Sequence, residues 1–325
     1  MRVRCEHSSI YGRVGAHLHN ASRRRPVLSI LAAVLMLAAS IPSLARGPIG
    51  GRDADYQMAV SQAHKRYQSD RSGTIPAAVP RLAKVSPNLY GLVLVRVDGK
   101  VWEAGDSRLP FVLSGVAAPF TAALVAEQGA TLADNPFGAE GALVTLGLAK
   151  PQHDVDAKWR AVLGNLGAFA GRDLFLDDGM YRSANSAAAP VLDMARQLAA
   201  DARLQDDAAA MADLYVKQSA VTLTAYDLAV MAATFANDGK NPMNGRAVVK
   251  PEVSQSVQKL MGSDGLQKTG MTSVGGKAGC IVAVVPGRFG LAVYSPPVDA
   301  TGTSVRGQRA IKYLSQALMV NFAAN

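Results

Sequence analysis

Cysteine and histidine are scarce in this chain. Only two of its 325 residues are cysteine, Cys5 and Cys280. Because Cys5 lies in a segment that is predicted below to be removed, Cys280 stands alone in the remainder, which excludes an internal disulfide there. Its simplest interpretation is a small apolar residue in a strand. Histidine is nearly as rare, since only His64 and His153 occur after residue 45.

The shortage of histidine limits the possible chemistry. A histidine-based zinc site and a Ser-His-Asp triad both need imidazoles that converge. His64 and His153 are far apart among polar neighbours, so neither kind of site is expected and each histidine is predicted to be a surface residue. Any catalytic base is expected to be a lysine, a tyrosine or a carboxylate.

The positive charge is concentrated at the start of the chain. The formal net charge is +9, and residues 1–45 contain six arginines against one acidic residue, Glu6. Only four of the nine net positive charges therefore belong to the other 280 residues. A surplus this small is ordinary for a solvated surface, so no nucleic-acid partner is expected.

The same N-terminal segment has the three parts of a secretory signal peptide. Arg23–Arg25 is basic, Val27–Ala39 is apolar, and Ser43 and Ala45 are small residues spaced for cleavage. The apolar run has 13 residues, fewer than the roughly 20 that span a bilayer, so a retained anchor is the weaker alternative. We expect residues 1–45 to be removed and the protein to be periplasmic or secreted, without stable membrane insertion.

Two β-hairpins are predicted near opposite ends of the remaining chain. The first joins Leu89–Val97 to Lys100–Ala104 through Asp98-Gly99, a dipeptide that strongly favours a tight hairpin turn. The second joins Ile281–Val285 to Leu291–Tyr294 through a turn that contains proline and glycine. The intervening sequence is mostly helical in pattern.

Two helices are clearest. Thr224–Ala236 begins with a capping-box pattern of Thr224 and Asp227, and Ser304–Ala323 has an apolar stripe predicted to cover one face of the sheet. The members of that stripe are Ile311, Leu314, Leu318 and Phe322. We predict a polar lead over residues 46–84 and one α+β domain over 85–325. Its antiparallel sheet is built from both chain ends and flanked by helices, with a helical lobe and a cleft between lobe and sheet.

A series of short motifs resembles the serine-dependent glutaminases of bacteria and animals, in order over residues 85–320. These motifs are Gly91–Asp106 with Pro110-Phe111, Asn135-Pro136-Phe137, Tyr181-Arg182-Ser183, Asp213-Leu214-Tyr215, Asp227–Met231, Asn241-Pro242, Ile281–Gly287, Ser295-Pro296-Pro297 and Ser304–Gly307. The resemblance implies a serine β-lactamase type of fold. It also implies hydrolysis of the side-chain amide of L-glutamine to glutamate and ammonia, with no cofactor or metal.

In that family a serine at the start of a helix attacks the amide, a lysine three residues later accepts its proton, and a tyrosine assists. Here Gly115 stands in the serine position and Ala118 in the lysine position. Pro119 predicts a later helix start, which would displace the oxyanion donors. Ser114 is open to two interpretations, a shifted nucleophile or a helix cap, but no lysine occurs between Lys100 and Lys150.

The resemblance also indicates that substrate contacts are lost. Ala139, Ala184 and Val191 replace family residues that bind the amino-acid head, and Gln267 replaces a second family tyrosine. Tyr215 is the one retained residue assigned to substrate binding, and a core tyrosine is an equally good interpretation.

Other short segments of the sequence resemble motifs that carry reactive groups in enzymes. The Gly-rich turn of the family corresponds to Val274–Cys280, which lacks its serine whether or not Lys277 and Gly279 are aligned with a gap. Ser256 and Lys259 have Ser-x-x-Lys spacing on a helix expected away from the cleft. Lys268-Thr269-Gly270 and Ser183-Ala184-Asn185 imitate motifs of penicillin-recognising enzymes, but without an active Ser-x-x-Lys they predict no β-lactam hydrolysis.

Three functions fit these observations. The favoured one is a glutaminase-family protein without catalysis that serves as an exported binding or scaffold protein. The second is an active amidohydrolase with a rearranged site, and the third is a structural partner acting through an oligomer surface. The expected partners are a small amino-acid-like ligand and a second copy of the chain.

Overall fold

Both predicted hairpins are confirmed in the computed structural model, which describes residues 52–133, 135–263, 266 and 269–320. Within these residues the strands, in chain order, are β1 (Gly91–Arg96), β2 (Val101–Gly105), β3 (Phe111–Val112), β4 (Phe175–Leu176), β5 (Val221–Leu223), β6 (Thr272–Gly276), β7 (Cys280–Val285) and β8 (Phe289–Tyr294). The main five-stranded sheet has the order β2-β1-β8-β7-β6, and the small sheet has the order β3-β5-β4.

The main sheet joins the two ends of the chain. β1 pairs antiparallel with β8, from Gly91 opposite Tyr294 to Arg96 opposite Phe289. Along β1, Val93 and Val95 belong to the core beneath the helical lobe, whereas Leu92 and Leu94 belong to a second apolar cluster on the other face. This alternation is what a strand buried on both faces produces. The predicted α+β architecture is therefore confirmed.

Ten α-helices occur in the described residues. They are α1 (Asp53–Tyr67), α2 (Ala118–Glu127), α3 (Ala139–Leu148), α4 (Val155–Ala170), α5 (Asp178–Asn185), α6 (Ala189–Ala200), α7 (Ala208–Ser219), α8 (Ala225–Ala236), α9 (Pro251–Leu260) and α10 (Val305–Ala317). Helices α2 to α9 form the predicted lobe, while α1 and α10 pack on the opposite side of the main sheet. In the described part of the chain, no helix is both long and apolar enough to cross a membrane.

The central helix α8 lies directly against the sheet. A Cβ atom on Gly290 of β8 would lie 2.1 Å from the backbone nitrogen of Ala233, so the close approach requires glycine. The predicted capping box is confirmed, because Thr224 Oγ1 accepts from the Asp227 backbone N–H at 3.2 Å and Asp227 Oδ2 accepts from the Thr224 N–H at 2.8 Å.

Asp227 also receives a charge partner from the segment that follows α4. The Arg172 guanidinium donates to both of its carboxylate oxygens, at 2.8 and 2.6 Å. Burial alone would raise the pKa of Asp227, but the hydrogen bonds from Arg172 and Thr224 hold this pKa below its ordinary value. The carboxylate thus fixes the start of the helix that supports the sheet.

The predicted polar lead is packed on the domain. In α1 the ring of Tyr56 stacks on Trp102 of β2, with ring centroids 4.7 Å apart. The described residues form one compact unit, so the sequence interpretation missed the contribution of α1. The predicted signal peptide, residues 1–45, lies outside the described residues.

The last helix and the lone cysteine test two further predictions. The helix predicted over Ser304–Ala323 has its N-cap at Ser304 but ends at Ala317, so its predicted end is wrong. The chain leaves the helix because Met319 adopts a φ of +51°; Phe322 lies outside the described residues. Cys280 is confirmed as a buried strand residue, and burial raises the pKa of its thiol to about 12.

The two histidines have different surroundings. His153 is exposed, as predicted, and its Nδ1 lies 3.2 Å from Asp206 Oδ1. The prediction of a surface position is wrong for His64, which is half-buried and stacks on Tyr90 with ring centroids 4.6 Å apart. Asp206 also forms an ion pair with the fully buried Lys158 of α4, which sequence reasoning did not find.

Candidate functional site

The segment that the resemblance assigns to the catalytic motif begins directly after β3. Ser114–Ala117 forms a 3-10 helix, and α2 follows without interruption from Ala118. Pro119 is the second residue of α2, where its missing N–H removes no helical hydrogen bond. The α-helix thus starts three residues after Gly115, and displacement of the oxyanion donors stays a prediction.

Gly115 and Ala118 share one face of this segment, because a 3-10 helix has three residues per turn. A Cβ atom on Gly115 would lie 3.8 Å from the Gly275 carbonyl oxygen, which is ordinary contact, so the position has room for a side chain but carries none. Ala118 is buried. The face therefore contains no group that can attack a carbonyl or accept a proton.

Ser114 adopts an unusual backbone conformation. Its φ is +51°, and it is the first residue of the 3-10 helix, whereas the N-cap is Leu113. The interpretation of Ser114 as a helix cap is therefore wrong. Its side chain is half-buried beside the same segment.

The Gly-rich turn packs against this segment from the edge strand β6. Lys277 is exposed, Ala278 is buried, and Gly279 has a φ of +87° with its N–H donating to the Gly276 carbonyl at 2.9 Å. A Cβ atom at Gly279 would lie 2.5 Å from the Cα of Pro296, so only glycine fits there. The turn is held by its own backbone and presents Ala278 to an apolar cluster with Val112.

Helices α5 and α7 pack beside this segment and its apolar cluster. The Tyr181 hydroxyl donates to Asp213, and Lys217 Nζ lies 2.9 Å from the same carboxylate. The hydrogen bond to Asp213, with a smaller effect of burial, raises the pKa of Tyr181 to about 12. Lys217 was missed from the sequence, although its spacing of four residues from Asp213 on a helix is a usable signal.

The residues predicted to replace the family's substrate contacts lie on neighbouring helices. Ala139 begins α3, Ala184 lies one turn after Tyr181 in α5, and Val191 is in α6. Tyr215 is a half-buried residue of α7, whose phenol pKa is raised by burial. Because α3, α5 and α6 all pack on α7, the fold brings these elements together, but three of the four positions have aliphatic side chains.

The N-terminal segment supplies a wall that the sequence did not reveal. Val79 and Leu82 pack on the apolar cluster that contains Ala278. Between them, the Arg81 backbone N–H donates to Ser183 Oγ at 3.0 Å, and its guanidinium donates to Asp177 at 3.0 Å. The hydroxyl of Ser183 is thus engaged by a structural contact next to Ala184.

The described residues of the remaining motif fragments lie in α9 and directly before β6. Ser256 and Lys259 are exposed on α9, and their predicted position away from the cleft stays a prediction. Thr269 is buried and donates to the Leu266 carbonyl at 2.5 Å, while Gln267 and Lys268 lie outside the described residues. Among the residues described, no group of three or more His, Cys, Asp or Glu side chains is arranged to hold a metal ion.

Comparisons with known proteins agree with this geometry. The glutaminase family profile matches residues 73–133 and 125–322. Glutaminase 2 of Yersinia pestis is 32% identical over 294 residues, which cover 80% of this chain and 86% of that protein. Glutaminase 2 of Bradyrhizobium diazoefficiens is 32% identical over 79% of this chain, which spans only 46% of that longer protein.

A solved structure extends the agreement to the fold. The structure of YbaS, described as a probable glutaminase, matches with a TM-score of 0.80 and 28% identity, covering 84% of this chain and 99% of that one. The sheet and helical lobe therefore have the β-lactamase-like fold of the serine-dependent glutaminases. By its sequence and its fold, this chain belongs to the glutaminase family.

Proposed function

We propose that this chain no longer catalyses the hydrolysis of L-glutamine and acts as an exported binding or scaffold protein. One observation carries the proposal: Gly115 and Ala118 share one face at the helix start where relatives would need a nucleophile and a base. A glycine hydrogen and an alanine methyl can neither attack an amide carbon nor accept a proton. The acyl-transfer step has no initiating group at this position.

The lost substrate contacts support a role other than turnover of glutamine. A buried α-ammonium and α-carboxylate need charged or hydrogen-bonding partners, and Ala139, Ala184 and Val191 offer only aliphatic groups. Tyr215 and the Tyr181–Asp213–Lys217 group keep part of the surroundings polar. A small amino-acid-like ligand and a second copy of the chain are the proposed partners.

Export is part of the same proposal and rests on Arg23–Arg25 and Val27–Ala39. Mass spectrometry of the protein isolated from its own host is expected to place the N-terminus at Arg46. An intact Met1 in a membrane fraction would instead identify an anchored protein.

The loss of catalysis is tested by measuring ammonia release from L-glutamine. We expect the purified protein to release no ammonia above the uncatalysed background, with an ordinary family member as positive control. Release that disappears in Ser114→Ala would contradict the proposal and favour a rearranged site with Ser114 as nucleophile. Release that survives Ser114→Ala would also contradict it and assign the chemistry to another residue.

A further inference from the structure

A polar cavity of about 450 Å³ lies far from the candidate site. It is lined by the end of α1, the segment before β1 and the end of β2. Since β2 and β6 are opposite edges of the five-stranded sheet, four strand spacings separate them, roughly 19 Å. The cavity is therefore distinct from the cleft beside β6.

The walls of the cavity carry one cation and one anion from its own lining residues. Arg71 is oriented by donating through Nη1 to the backbone carbonyl of Gln68 at 2.7 Å. Asp106 is oriented by accepting through Oδ2 from the Tyr90 N–H at 2.8 Å. Within the described residues, these side chains form no ion pair with each other, and Arg71 Nη2 and Asp106 Oδ1 take part in no hydrogen bond.

The floor of the cavity is closely packed. Tyr90 is buried, with His64 stacked on its ring and the Arg306 guanidinium 5.2 Å from its ring centroid. Gly105 has a φ of +68°, and a Cβ atom there would lie 2.1 Å from both His64 Nε2 and the Tyr90 carbonyl oxygen. Only glycine permits this close contact of β2 with His64 and Tyr90.

We propose that this cavity binds a free α-amino acid, with the ligand carboxylate on Arg71 and the ligand ammonium on Asp106. A guanidinium and a carboxylate that share a cavity without pairing complement the two charges of a zwitterion. The volume falls within the usual range of small-molecule sites. The amides of Gln68 and Asn88 line the same cavity and offer hydrogen bonds to a polar ligand side chain.

Calorimetric titration with the twenty free amino acids tests the proposal, and L-glutamine is the first probe. We expect saturable binding that weakens about tenfold or more with N-acetyl-L-glutamine, which lacks the ammonium, and with L-glutamine α-amide, which lacks the carboxylate. Binding of none of the twenty amino acids at millimolar concentration would overturn the proposal.

Variants locate the ligand. Arg71→Gln and Asp106→Asn are each expected to weaken binding about tenfold or more, while Arg246→Gln, which alters a different cavity in the helical lobe, changes it less than about twofold. The amide introduced by Asp106→Asn can still accept from the Tyr90 N–H, and the exposed Arg71 gives a second test if the Asp106 variant does not fold. Binding lost in Tyr215→Ala but unchanged in both cavity variants would place the ligand in the cleft, overturning this inference while leaving the proposed binding role intact.

Discussion

The junction of β8 and α10 and the start of α2 both resemble the same family, but they differ in the polar groups that they contain. At the junction of β8 and α10, the fully buried Arg306 donates to Ser295 Oγ at 2.7 Å and to the carbonyls of Pro87 and Leu89 at 2.6 and 2.8 Å. At the start of α2, where the resemblance predicts a serine and a lysine, this chain has Gly115 and Ala118. The junction has a charged network, whereas we propose that the site has lost its polar groups.

The difference follows from what each group does for folding. A buried guanidinium that satisfies several backbone groups cannot be removed without leaving those groups unpaired. A nucleophile and a base beside a cleft stabilise a transition state and contribute little to folding. If the chemistry is lost, as we propose, selection on the fold alone would keep Arg306 and release the site, so that membership of the family and its chemistry separate.

The largest predicted effect concerns the junction of β8 and α10. Arg306→Met should lower the free energy of unfolding by about 4 kcal/mol or more, because the buried Ser295 hydroxyl and the partly buried carbonyls of Pro87 and Leu89 lose their charged donor. Denaturant unfolding measures the change. Arg203→Met is the matched control, since Arg203 forms an exposed ion pair with Glu140 and should cost less than about 1 kcal/mol. Equal losses of unfolding free energy in the two variants would show that the hydrogen bonds of Arg306 do not stabilise the fold more than a surface ion pair does.

Asp227→Asn should have a smaller effect, about 2–3 kcal/mol, since it removes the charge held by Arg172 and weakens the cap of α8. The folded-state pKa of Asp227 lies below its unfolded value. The stabilisation is therefore complete above the unfolded pKa, about 3.9, and is lost as pH falls through the lower folded pKa. The free energy of unfolding, measured between pH 7 and 2, should fall less on acidification in Asp227→Asn than in the parent.

The exposed Asp193 provides the control for that experiment. Its pair with Arg196 lies on the surface, with 73% of the Asp193 side chain exposed, so Asp193→Asn should leave the acid dependence unchanged. If the pH dependence of the free energy of unfolding falls equally in Asp227→Asn and Asp193→Asn, the acid-sensitive stabilisation does not come from the cap of α8.

The smallest expected effect concerns the N-terminal wall of the site. Arg81→Ala removes a partly exposed ion pair with Asp177 and should change global stability by less than about 1 kcal/mol. Amide exchange of residues 79–84 should nevertheless become faster, because the guanidinium fixes this segment on α5. Unchanged exchange would mean that the packing of Val79 and Leu82 alone holds the wall.

Local patterns in the sequence were sufficient for the hairpins and for the capping box of α8, because both depend on neighbouring residues. The Asp98-Gly99 turn and the Thr224–Asp227 pair are examples of such local chemistry. The extent of α10 was overpredicted, since its apolar stripe continues past the point where Met319 turns the backbone.

Contacts between distant residues were not predictable in the same way. Arg81 reaches Ser183 across 102 positions, and Lys158 reaches Asp206 across 48. Within the site, the residue types that are missing could be read from the motif, but the short 3-10 segment could not. Proline at position 119 predicted a late helix start, and the structure places a 3-10 turn over Ser114–Ala117 before the α-helix begins at Ala118.

The central claim is that the chemistry has been lost across the whole cleft rather than at two positions. The double variant Gly115→Ser with Ala118→Lys restores the missing pair at a place with room for the serine side chain. The introduced lysine would enter a buried position in the first turn of α2, where a positive charge is unfavourable. Ala139, Ala184 and Val191 would still leave the amino-acid head unbound.

Ammonia release from L-glutamine by this double variant is the most direct measurement of that claim. Loss of one oxyanion donor alone costs an amide hydrolase about 2.7–4 kcal/mol, and poor substrate positioning adds several kcal/mol more. We predict no release above background from a double variant whose circular dichroism matches the parent. Hydrolysis at a rate within about tenfold of an ordinary family member would contradict the claim and show that the cleft is still built for glutamine.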